Sequence, residues 1–332
     1  MENRIAVYGA AGHTGRFIVR ELSRRGFAVT AIGRNAAKLA AAIFPAGIER
    51  AVAALDDPAS IAQAFAGATA VINCAGPFLD TAEPLVRAAL QARIPYLDVT
   101  AEQASAQAIF ENYASSAEAA GVAVVPAMGF YGGLGDLLAT AVMGDWTYAD
   151  EVRIGIALDS WQPTEGTRVT GRRNTVPRVT IAEGTLQPLA DPAPNAVWSF
   201  AAPFGAQEMV ELPFTEAILI GRHLRVSELH TYLNTAPLRD LDDAATPQPV
   251  AADVSGRSAQ TFRVEVEIRQ GSTVRRASAQ GRDIYAITAP LVVEAVEGLL
   301  NNPPAQGGVF APGALFDARE FLAALAPDLL MS

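Results

Sequence analysis

A glycine-rich turn near the start of the chain has residue types and a spacing that suit phosphate binding. Residues 9–15 read Gly-Ala-Ala-Gly-His-Thr-Gly, between a strand-like apolar run and a helix-like run. At this spacing the first glycine permits a tight turn, the second lets backbone approach a pyrophosphate, and the third lets the helix pack on the strand. The N–H groups at the start of the helix also favour an anion. The turn predicts dinucleotide contacts at Gly9, Ala11, Gly12, His13, Thr14 and Gly15.

The residues after the second predicted strand indicate which dinucleotide fits. In NAD-specific folds an acidic side chain at this place bonds the ribose 2′-hydroxyl. Here the strand is followed by Gly33, Arg34 and Asn35, with Lys38, the only lysine of the chain, one helical turn later. A guanidinium matches a phosphate in shape and charge, and Lys38 adds a second cation. We therefore predict NADP(H) as the cofactor; the alternative is that Arg34 and Lys38 are solvated surface residues.

Short apolar runs alternate with longer amphipathic runs up to about Ala127. The apolar runs are predicted to be strands, at Arg4–Tyr8, Ala28–Ile32, Ile48–Ala53, Ala70–Cys74, Tyr96–Val99 and Val122–Pro126. The runs between them are predicted to be helices, at Thr14–Arg25, Ala36–Phe44, Pro58–Phe65, Ala82–Ala92 and Gln103–Ala120. Because strands that alternate with helices form βαβ units, the pattern predicts an α/β fold with a doubly wound, parallel Rossmann sheet.

The pattern changes after Asp145, where β-branched residues and partial alternation indicate a sheet with one solvated face. Strands are predicted at Val152–Leu158, Val179–Leu186, Ala217–Ile220, Thr261–Ile268 and Thr273–Ser278. Helices are predicted at Glu165–Asn174, Thr288–Leu300 and Ala318–Leu325, and surface loops at Asp191–Pro194 and Arg239–Pro249. This part is therefore predicted to include a second, α+β domain with a mostly antiparallel or mixed sheet.

Composition limits the classes of function. The chain has 332 residues, of which 50% are hydrophobic and 18% charged, and its net charge is −10. A nucleic-acid-binding protein needs a basic face, so this charge balance argues against that class. No run approaches the ~20 apolar residues of a membrane helix, and the first residues run into a strand rather than a signal peptide. Because a single cysteine, Cys74, also fits a reducing compartment, we expect a cytoplasmic protein.

Few side chains offer acid–base chemistry. Tyr113 is followed four residues later by Ala117, and no lysine follows Lys38. The Tyr-x-x-x-Lys pair of short-chain dehydrogenases and a lysine Schiff base are therefore both excluded. The three histidines lack partners at metal-like spacing, so no metal site is predicted. His223 and Asp98 are candidate catalytic groups, and for each the alternative is a structural role.

Two arginines are candidates for binding a substrate carboxylate. Arg168 and Arg172 share a face of the predicted helix because their spacing is i,i+4. Together they could clamp the carboxylate of an amino acid or a keto acid. The alternative is a solvated basic helix face.

Several segments together resemble the saccharopine dehydrogenase-like oxidoreductases, a group that includes trans-acting enoyl reductases. The longer ones are Gly9–Arg16, Val71–Phe78, Tyr96–Glu102 and Gly129–Asp136. Shorter matches lie at Gly281–Tyr285, Thr288–Ala289 and Gly307–Pro312. The resemblance spans the chain, is weakest between residues 145 and 280, and rests on the order and spacing of the segments.

This resemblance implies a discontinuous Rossmann domain of residues 1–145 and 281–332, with a substrate or dimerisation domain inserted at 146–280. It implies an NADP(H)-dependent oxidoreductase that transfers a hydride to or from a small-molecule substrate with an imine, a carbonyl or an activated C=C bond. An exposed sheet in the inserted domain favours a homodimer. The alternative is a non-catalytic, NADP(H)-binding redox sensor, since a fold does not dictate activity.

The resemblance also implies positions around the cofactor. Contacts to the ribose and nicotinamide would come from Cys74, Ala75, Gly76, Pro77, Thr100 and Gly129. Ala54 stands where relatives often have an aspartate on the adenine side, which leaves that contact to Leu55. Tyr131 replaces another aspartate of the family and is the third candidate catalytic group, as a proton donor or substrate ligand. The alternative for Tyr131 is a packing role.

Overall fold

The structure is a computed structural model that describes residues 3–332. It divides the chain into two compact units. Unit 1 consists of the chain up to Gly129 together with Thr288–Phe310, and unit 2 consists of Phe130–Ile287 together with Ala311–Ser332.

The secondary structure alternates strands and helices in the first part and is rich in strands in the second. The strands are β1 (Arg4–Tyr8), β2 (Ala28–Gly33), β3 (Glu49–Val52), β4 (Ala70–Asn73), β5 (Tyr96–Asp98), β6 (Ala123–Val125), β7 (Ala149–Leu158), β8 (Val179–Ala182), β9 (Thr185–Pro188), β10 (Asn195–Ser199), β11 (Ala206–Glu211), β12 (Val226–Asn234), β13 (Thr261–Gln270), β14 (Thr273–Arg282), β15 (Gly308–Val309) and β16 (Leu329–Met331). The helices are α1 (His13–Arg24), α2 (Ala36–Ala41), α3 (Pro58–Ala64), α4 (Phe78–Ala92), α5 (Gln103–Ala120), α6 (Gly133–Met143), α7 (Glu165–Arg173), α8 (Glu216–Ile220), α9 (Thr235–Asp242), α10 (Thr288–Asn301), α11 (Pro312–Leu315) and α12 (Ala318–Ala324). Within residues 3–332, no helix combines the length and the apolar character needed to cross a bilayer.

Unit 1 is built on a seven-stranded parallel sheet in the order β15-β6-β5-β4-β1-β2-β3. The strand order reverses between β1 and β4, and ligands of such sheets bind at this reversal, beyond the carboxyl ends of the strands. β4 is buried along its whole length and β1 along nearly all of it. This burial explains their continuous apolar sequences, because a parallel sheet is covered on both faces. The predicted Rossmann sheet is confirmed.

Every strand and helix predicted for the first part of the chain is present, and only the ends differ. The largest difference is at α4, which begins at Phe78 rather than at the predicted Ala82. The Glu102 carboxylate causes this early start, because it accepts hydrogen bonds from the N–H groups of Phe78 (2.7 Å) and Leu79 (3.1 Å). A carboxylate at a helix start satisfies its unpaired N–H groups.

Unit 2 contains a nine-stranded mixed sheet. Seven strands follow the order β10-β11-β12-β7-β13-β14-β16, and the hairpin of β8 and β9 is attached to β12. β7 and β12 are parallel, whereas the other pairs are antiparallel. In β13 buried residues alternate with part-buried ones, as expected for a strand with one face against a core. The predicted second domain with a mixed sheet is confirmed.

The predicted strand Ala217–Ile220 is wrong, because this segment forms the short helix α8. The N–H groups of Ile218 and Leu219 both donate to the carbonyl of Thr215. All five residues of α8 are buried. A short run that is apolar on every side fits a buried strand and a buried helix equally well, so periodicity could not separate them.

Other segments of unit 2 also differ from the predicted secondary structure. The predicted strand Val179–Leu186 is a hairpin, because Glu183 and Gly184 turn the chain with φ of 52° and 75°. The predicted loop Arg239–Pro249 begins inside α9. The strands β10, β11 and β12 were not predicted, since polar residues interrupt their apolar pattern.

The observed units also differ from the predicted domain boundaries. Helix α6 belongs to unit 2 because it packs on β13, α11 and α12. β16 pairs with β14, which brings the end of the chain into unit 2 as well. The Rossmann part therefore ends at Gly129 rather than at residue 145, and its returning segment is Thr288–Phe310 rather than 281–332.

Candidate functional site

The glycine-rich turn joins β1 to α1 in unit 1. Gly9 has a φ of 85°, and a Cβ there would lie 2.8 Å from the backbone nitrogen of Ala75, so only glycine fits. A Cβ on Gly15 would lie 2.3 Å from the carbonyl oxygen of Gly9 and 2.8 Å from the Cα of Ala10, so α1 packs directly on the turn. At Gly12, by contrast, an added Cβ meets a single atom of the described residues within 4 Å, the Gly9 oxygen at 3.1 Å. The turn is tight where it packs and open at Gly12.

The start of α1 has features that could hold an anion. Its N-cap residue is Gly12, which has no side chain to cap the helix, and its first turn contains no acidic residue. The leading N–H groups of a helix carry partial positive charge, and together with the open turn they fit a pyrophosphate. The predicted contacts Ala11, His13 and Thr14 lie in this segment, where the His13 ring packs edge-on against Phe17 with centroids 5.3 Å apart.

Two basic side chains follow β2. Arg34 and Lys38 are both exposed. The side chain of Asn35 caps α2 by accepting the N–H of Lys38 (2.9 Å), which fixes Lys38 one turn after Arg34. Burial raises the pKa of Tyr8, and the charge of Arg34 acts against this shift, so Arg34 lies within electrostatic reach of that hydroxyl. The structure thus brings Gly33, Arg34, Asn35 and Lys38 together at the carboxyl end of β2.

The loop after β4 presents backbone rather than a reactive thiol. The Cys74 thiol donates a hydrogen bond to the carbonyl of Tyr8 (3.0 Å), and burial raises its pKa to about 12. Since the thiolate is the nucleophilic form, this shift disfavours a nucleophilic role for Cys74. The N–H of Ala75 donates to the side-chain oxygen of Asn73 (3.0 Å), which shapes the loop that continues to Gly76 and Pro77.

Asp98, at the end of β5, is fully buried and accepts three hydrogen bonds. Its Oδ1 accepts the N–H groups of Thr100 (3.1 Å) and Ala127 (2.8 Å), and its Oδ2 accepts the hydroxyl of Tyr96 (3.0 Å). Burial raises the pKa of Asp98 to about 6, although the hydrogen bonds act against this shift. The candidate catalytic group Asp98 therefore fixes the loops that follow β5 and β6.

Asn73 extends this network to β4 and was not predicted. Its Nδ2 donates to the hydroxyls of Tyr96 and Thr81, both at 3.1 Å. Its Oδ1 holds the N–H of Ala75, so a continuous path of hydrogen bonds runs from Ala75 through Asn73 and Tyr96 to Asp98. The three loops at the carboxyl ends of β4, β5 and β6 are thereby tied together. The clue available in the sequence was a polar residue at the end of each of two buried strands.

The remaining predicted contacts of unit 1 are part of its framework. The hydroxyl of Thr100 accepts the N–H of Glu102 (3.0 Å). A Cβ on Gly129 would lie 3.3 Å from the carbonyl oxygen of Val99, so Thr100 and Gly129 lie on neighbouring loops. Leu55 is partly buried and packs against the apolar core of unit 1.

Tyr131 lies in an aromatic cluster of unit 2. Its ring stacks on Phe214 with centroids 4.1 Å apart, lies 5.6 Å from Trp161 and meets Phe130 edge-on at 4.8 Å. Burial raises the pKa of Tyr131 well above 10, and the nearby Tyr285 acts in the same direction. The hydroxyl is buried and has no hydrogen-bond partner among the described residues. A phenol in these surroundings stays protonated and can only donate.

His223, the second candidate in unit 2, is paired within that unit. Its Nε2 lies 2.7 Å from the Oδ1 of Asp136, whose other oxygen accepts the N–H of Gly313 (2.7 Å). Asp136 is fully buried. Asp136 on α6 thus holds both the turn after α8, through His223, and α11, through Gly313, which favours the structural alternative for His223. Within residues 3–332, no group of three or more His, Cys, Asp or Glu side chains could hold a metal ion.

The two arginines predicted to bind substrate have different surroundings. Arg168 donates three hydrogen bonds to backbone carbonyls, those of Leu241 (3.1 Å), Asp243 (2.9 Å) and Thr246 (3.1 Å). Its guanidinium therefore holds the segment after α9. Arg172 is exposed on α7. The structure does not join the two into a clamp.

Comparison with known proteins finds similarity in the first part of the chain. A family model described as NAD(P)H-binding matches residues 9–151. The chain is 28% identical over 142 residues to a probable mitochondrial saccharopine dehydrogenase-like oxidoreductase of Arabidopsis thaliana, which covers 38% of this chain and 31% of that protein. It is 26% identical over 147 residues to the saccharopine dehydrogenase-like oxidoreductase of Homo sapiens, covering 38% of this chain and 34% of that protein. The matches thus span about a third of the length of these curated relatives.

Solved structures extend the likeness over the whole chain. Apo saccharopine dehydrogenase (L-Glu forming) from Saccharomyces cerevisiae superposes with a TM-score of 0.70 at 12% identity, over 99% of each chain. Amine dehydrogenase from Mycobacterium smegmatis superposes with a TM-score of 0.53 at 13% identity, over 95% of this chain and 96% of the other. At such identities the likeness concerns the fold. The resemblance indicated by the motifs is therefore confirmed: the chain is similar in sequence to saccharopine dehydrogenase-like oxidoreductases over 38% of its length and has the fold of saccharopine dehydrogenase.

Proposed function

We propose that the chain is an NADP(H)-dependent oxidoreductase that transfers a hydride between the cofactor and a small metabolite. The observation on which this proposal depends is the geometry of the glycine-rich turn together with the basic pair after β2. The open turn at Gly12 leads into an uncapped helix start, which suits a pyrophosphate. Arg34 and Lys38 follow a strand end that has no carboxylate, which suits a 2′-phosphate.

The residues of unit 1 would hold the dinucleotide and set its orientation. The leading N–H groups of α1 would hold the pyrophosphate, and Arg34 with Lys38 would hold the 2′-phosphate. The hydrogen-bonded path from Asn73 to Asp98 fixes the loops after β4, β5 and β6, where the resemblance puts ribose and nicotinamide contacts. The bound nicotinamide would supply the hydride chemistry, while the protein supplies position and water exclusion.

The hydrogen bonds and pKa shifts of the candidate acids favour a substrate whose reduction needs little general acid catalysis. Asp98 has both oxygens in hydrogen bonds, His223 is paired with Asp136, and Tyr131 has a pKa raised well above 10 by burial. General acid catalysis works best when the pKa of the acid lies near the working pH. Because a protonated imine is already electrophilic, we propose a C=N bond as the preferred acceptor, ahead of a carbonyl or an activated C=C bond.

The cofactor preference gives a direct test. NADPH is expected to bind about tenfold or more tightly than NADH, because each charged hydrogen bond to the 2′-phosphate contributes roughly 1.5–3 kcal/mol. The double variant Arg34→Gln with Lys38→Gln is expected to lose this preference while it retains NADH binding. Titration of the protein into either reduced cofactor, followed by nicotinamide fluorescence, measures both dissociation constants.

Arg24→Gln is the matched control for this titration. Arg24 is an exposed cation of the same unit, paired with Glu21 at 2.7 Å. It lies at the other end of α1, about 16 Å along the axis of this 12-residue helix. Its removal is expected to leave both dissociation constants unchanged. A wild-type protein that binds NADH as tightly as NADPH would contradict the assignment of Arg34 and Lys38.

Turnover separates the enzyme from its alternative. Asp98 and His223 are engaged in hydrogen bonds, and the pKa of Tyr131 is raised well above 10. Because none of the three is well suited to act as an acid, a non-catalytic NADP(H)-binding redox sensor is the second proposal. The protein is mixed with NADPH and a panel of cyclic imines, ketones and enones, and loss of absorbance by the reduced nicotinamide is followed. Oxidation of NADPH with any of them excludes the sensor. Tight NADPH binding without oxidation across the panel favours it.

A further inference from the structure

A half-buried guanidinium in unit 2 lacks an acidic partner. Arg178 precedes β8, and its Nη1 donates to the carbonyl of Pro213 (2.7 Å). Its guanidinium carbon lies 4.8 Å from the centre of the Phe214 ring. Burial lowers the pKa of Arg178, and among the described residues no carboxylate lies within ion-pair distance of it. Most of the donors of this guanidinium are therefore unused by the protein, which is unusual for a charge withdrawn from water.

A second unused donor lies against the same ring. The ring of Tyr131 stacks on Phe214 at 4.1 Å, and its buried hydroxyl has no hydrogen-bond partner among the described residues. The charge of Arg178 lowers the pKa of Tyr131 against the larger effect of burial, so the two groups lie within electrostatic reach of each other. A buried hydroxyl without a partner destabilises a folded protein, so such a group calls for a specific explanation.

The acidic residue that acts on Arg178, Glu216, does not form an ion pair with it. Glu216 is buried and accepts the N–H of Phe214 (2.8 Å), and burial raises its pKa. Arg178 and Tyr131 together offer donors only, with one positive charge and apolar rings beside them. This combination fits a monoanion with two acceptor oxygens better than a phosphate dianion.

From these contacts we propose that Arg178 and Tyr131 form a subsite for the carboxylate of a small organic acid. The carboxylate pairs with the free edge of the guanidinium and accepts the Tyr131 hydroxyl, while the rings of Phe214 and Trp161 contact an apolar part of the same compound. This inference rests on the proposed function, because the acid would be the metabolite that exchanges a hydride. It also replaces the predicted clamp, since Arg168 is already engaged by backbone carbonyls.

Calorimetric titration of the full-length protein with 3-phenylpropanoate and with 3-phenylpropanamide tests the subsite. The two compounds differ only in the charge and donor pattern of the terminal group. We expect the acid to bind about tenfold or more tightly than the amide, since hydrogen bonds to charged groups are stronger than those between neutral groups. Arg178→Gln is expected to abolish this preference and Arg178→Lys to keep part of it. Tyr131→Phe is expected to weaken binding of the acid by roughly 3-fold to 10-fold.

Controls separate the subsite from general effects. Arg276→Gln removes an exposed cation of unit 2 that is paired with Glu267 (2.6 Å) and should leave acid binding unchanged. Thermal unfolding checks that each variant is folded, and NADPH titration of the same samples keeps the two proposals apart. If NADPH binds but the acid does not, the subsite alone is refuted; if NADPH fails to bind, the proposed function is refuted.

Three results would overturn the subsite. The first is equal binding of acid and amide, or no detectable binding of either compound at about 10 mM. The second is an Arg178→Gln protein that is folded and still prefers the acid. The third is phenyl phosphate binding more tightly than the acid, which would assign the donors to a phosphate dianion.

Discussion

Gly15→Ala is expected to destabilise the protein by about 1–3 kcal/mol or more and to weaken NADPH binding about tenfold or more. The added Cβ would lie 2.3 Å from the Gly9 oxygen and 2.8 Å from the Cα of Ala10, which are backbone atoms that cannot rotate away. The start of α1 must then move off the turn, and the N–H groups that we propose bind the pyrophosphate move with it. Urea unfolding and NADPH titration of the same variant measure the two effects.

Gly12→Ala is the informative partner of this variant. Its Cβ would meet the Gly9 oxygen at 3.1 Å, and Gly12 has an ordinary φ of −69° that alanine adopts. Stability should therefore change little, while a methyl group at the proposed pyrophosphate contact should still weaken NADPH binding. Gly171→Ala on the exposed helix α7, where an added Cβ meets no atom of the described residues within 4 Å, should change neither quantity for the worse.

The pair of glycine variants can contradict the assignment in two ways. Gly15→Ala with wild-type stability would mean that α1 does not pack on the turn as described. Gly12→Ala with wild-type NADPH affinity would mean that the open side of the turn is not where the pyrophosphate binds.

Unit 1 was predictable because its determinants are local. Glycine spacing at residues 9–15, an apolar run before it and an amphipathic run after it lie within a short stretch of chain, and each has a conformational reason. The alternation of strand and helix then fixes the parallel order through short crossovers. The prediction fails where a long-range contact determines the end of an element. The start of α4 is the example, because it depends on Glu102, more than twenty residues later in the chain.

Unit 2 was harder because its pattern is ambiguous at the level of single segments. The buried run of α8 is apolar on every side, and the turn at Glu183 is made by a residue type that rarely adopts positive φ. Helix α6 belongs to unit 2 because it packs on β13, more than a hundred residues later in the chain. Strand β16 belongs to unit 2 because it pairs with β14, about fifty residues earlier. The periodicity of a segment does not reveal such distant partners.

The sequence predicted where the residues of the candidate site lie, but not what each side chain does there. Asp98, Thr100 and Gly129 were named from strand ends and from resemblance, and the structure gathers them at the carboxyl edge of the unit 1 sheet. Their roles depend on hydrogen bonds between distant residues, such as the one from Ala127 to Asp98. Arg178 was overlooked for the same reason, because only the fold shows that it lacks an acidic partner.

Asp98→Ala is expected to lower the free energy of unfolding by about 3 kcal/mol or more. The change leaves the N–H groups of Thr100 and Ala127 and the hydroxyl of Tyr96 buried without their acceptor, at about 1–3 kcal/mol each. Asp98→Asn should cost less, because its amide oxygen can keep both N–H bonds and only the contact with Tyr96 is disturbed. Urea unfolding of both variants measures the difference, and an alanine variant as stable as the asparagine variant would contradict the structural role of this network.

The pH dependence of stability isolates the ionisation of Asp98. Burial raises its native pKa to about 6, and the charge of Glu102 adds to the shift, whereas an unfolded aspartate titrates near about 3.9. Between these values the native state holds a proton that the unfolded state has lost, so this group makes stability fall as pH rises from about 4 to about 6. Asp98→Asn lacks this proton. The free energy of unfolding of the wild type minus that of Asp98→Asn, measured in urea from about pH 4 to pH 7, should therefore decrease with rising pH, by at most about 1.4 kcal/mol per unit. A difference that increases with pH would show that the native protein holds Asp98 as a stabilised carboxylate, with its pKa lowered instead.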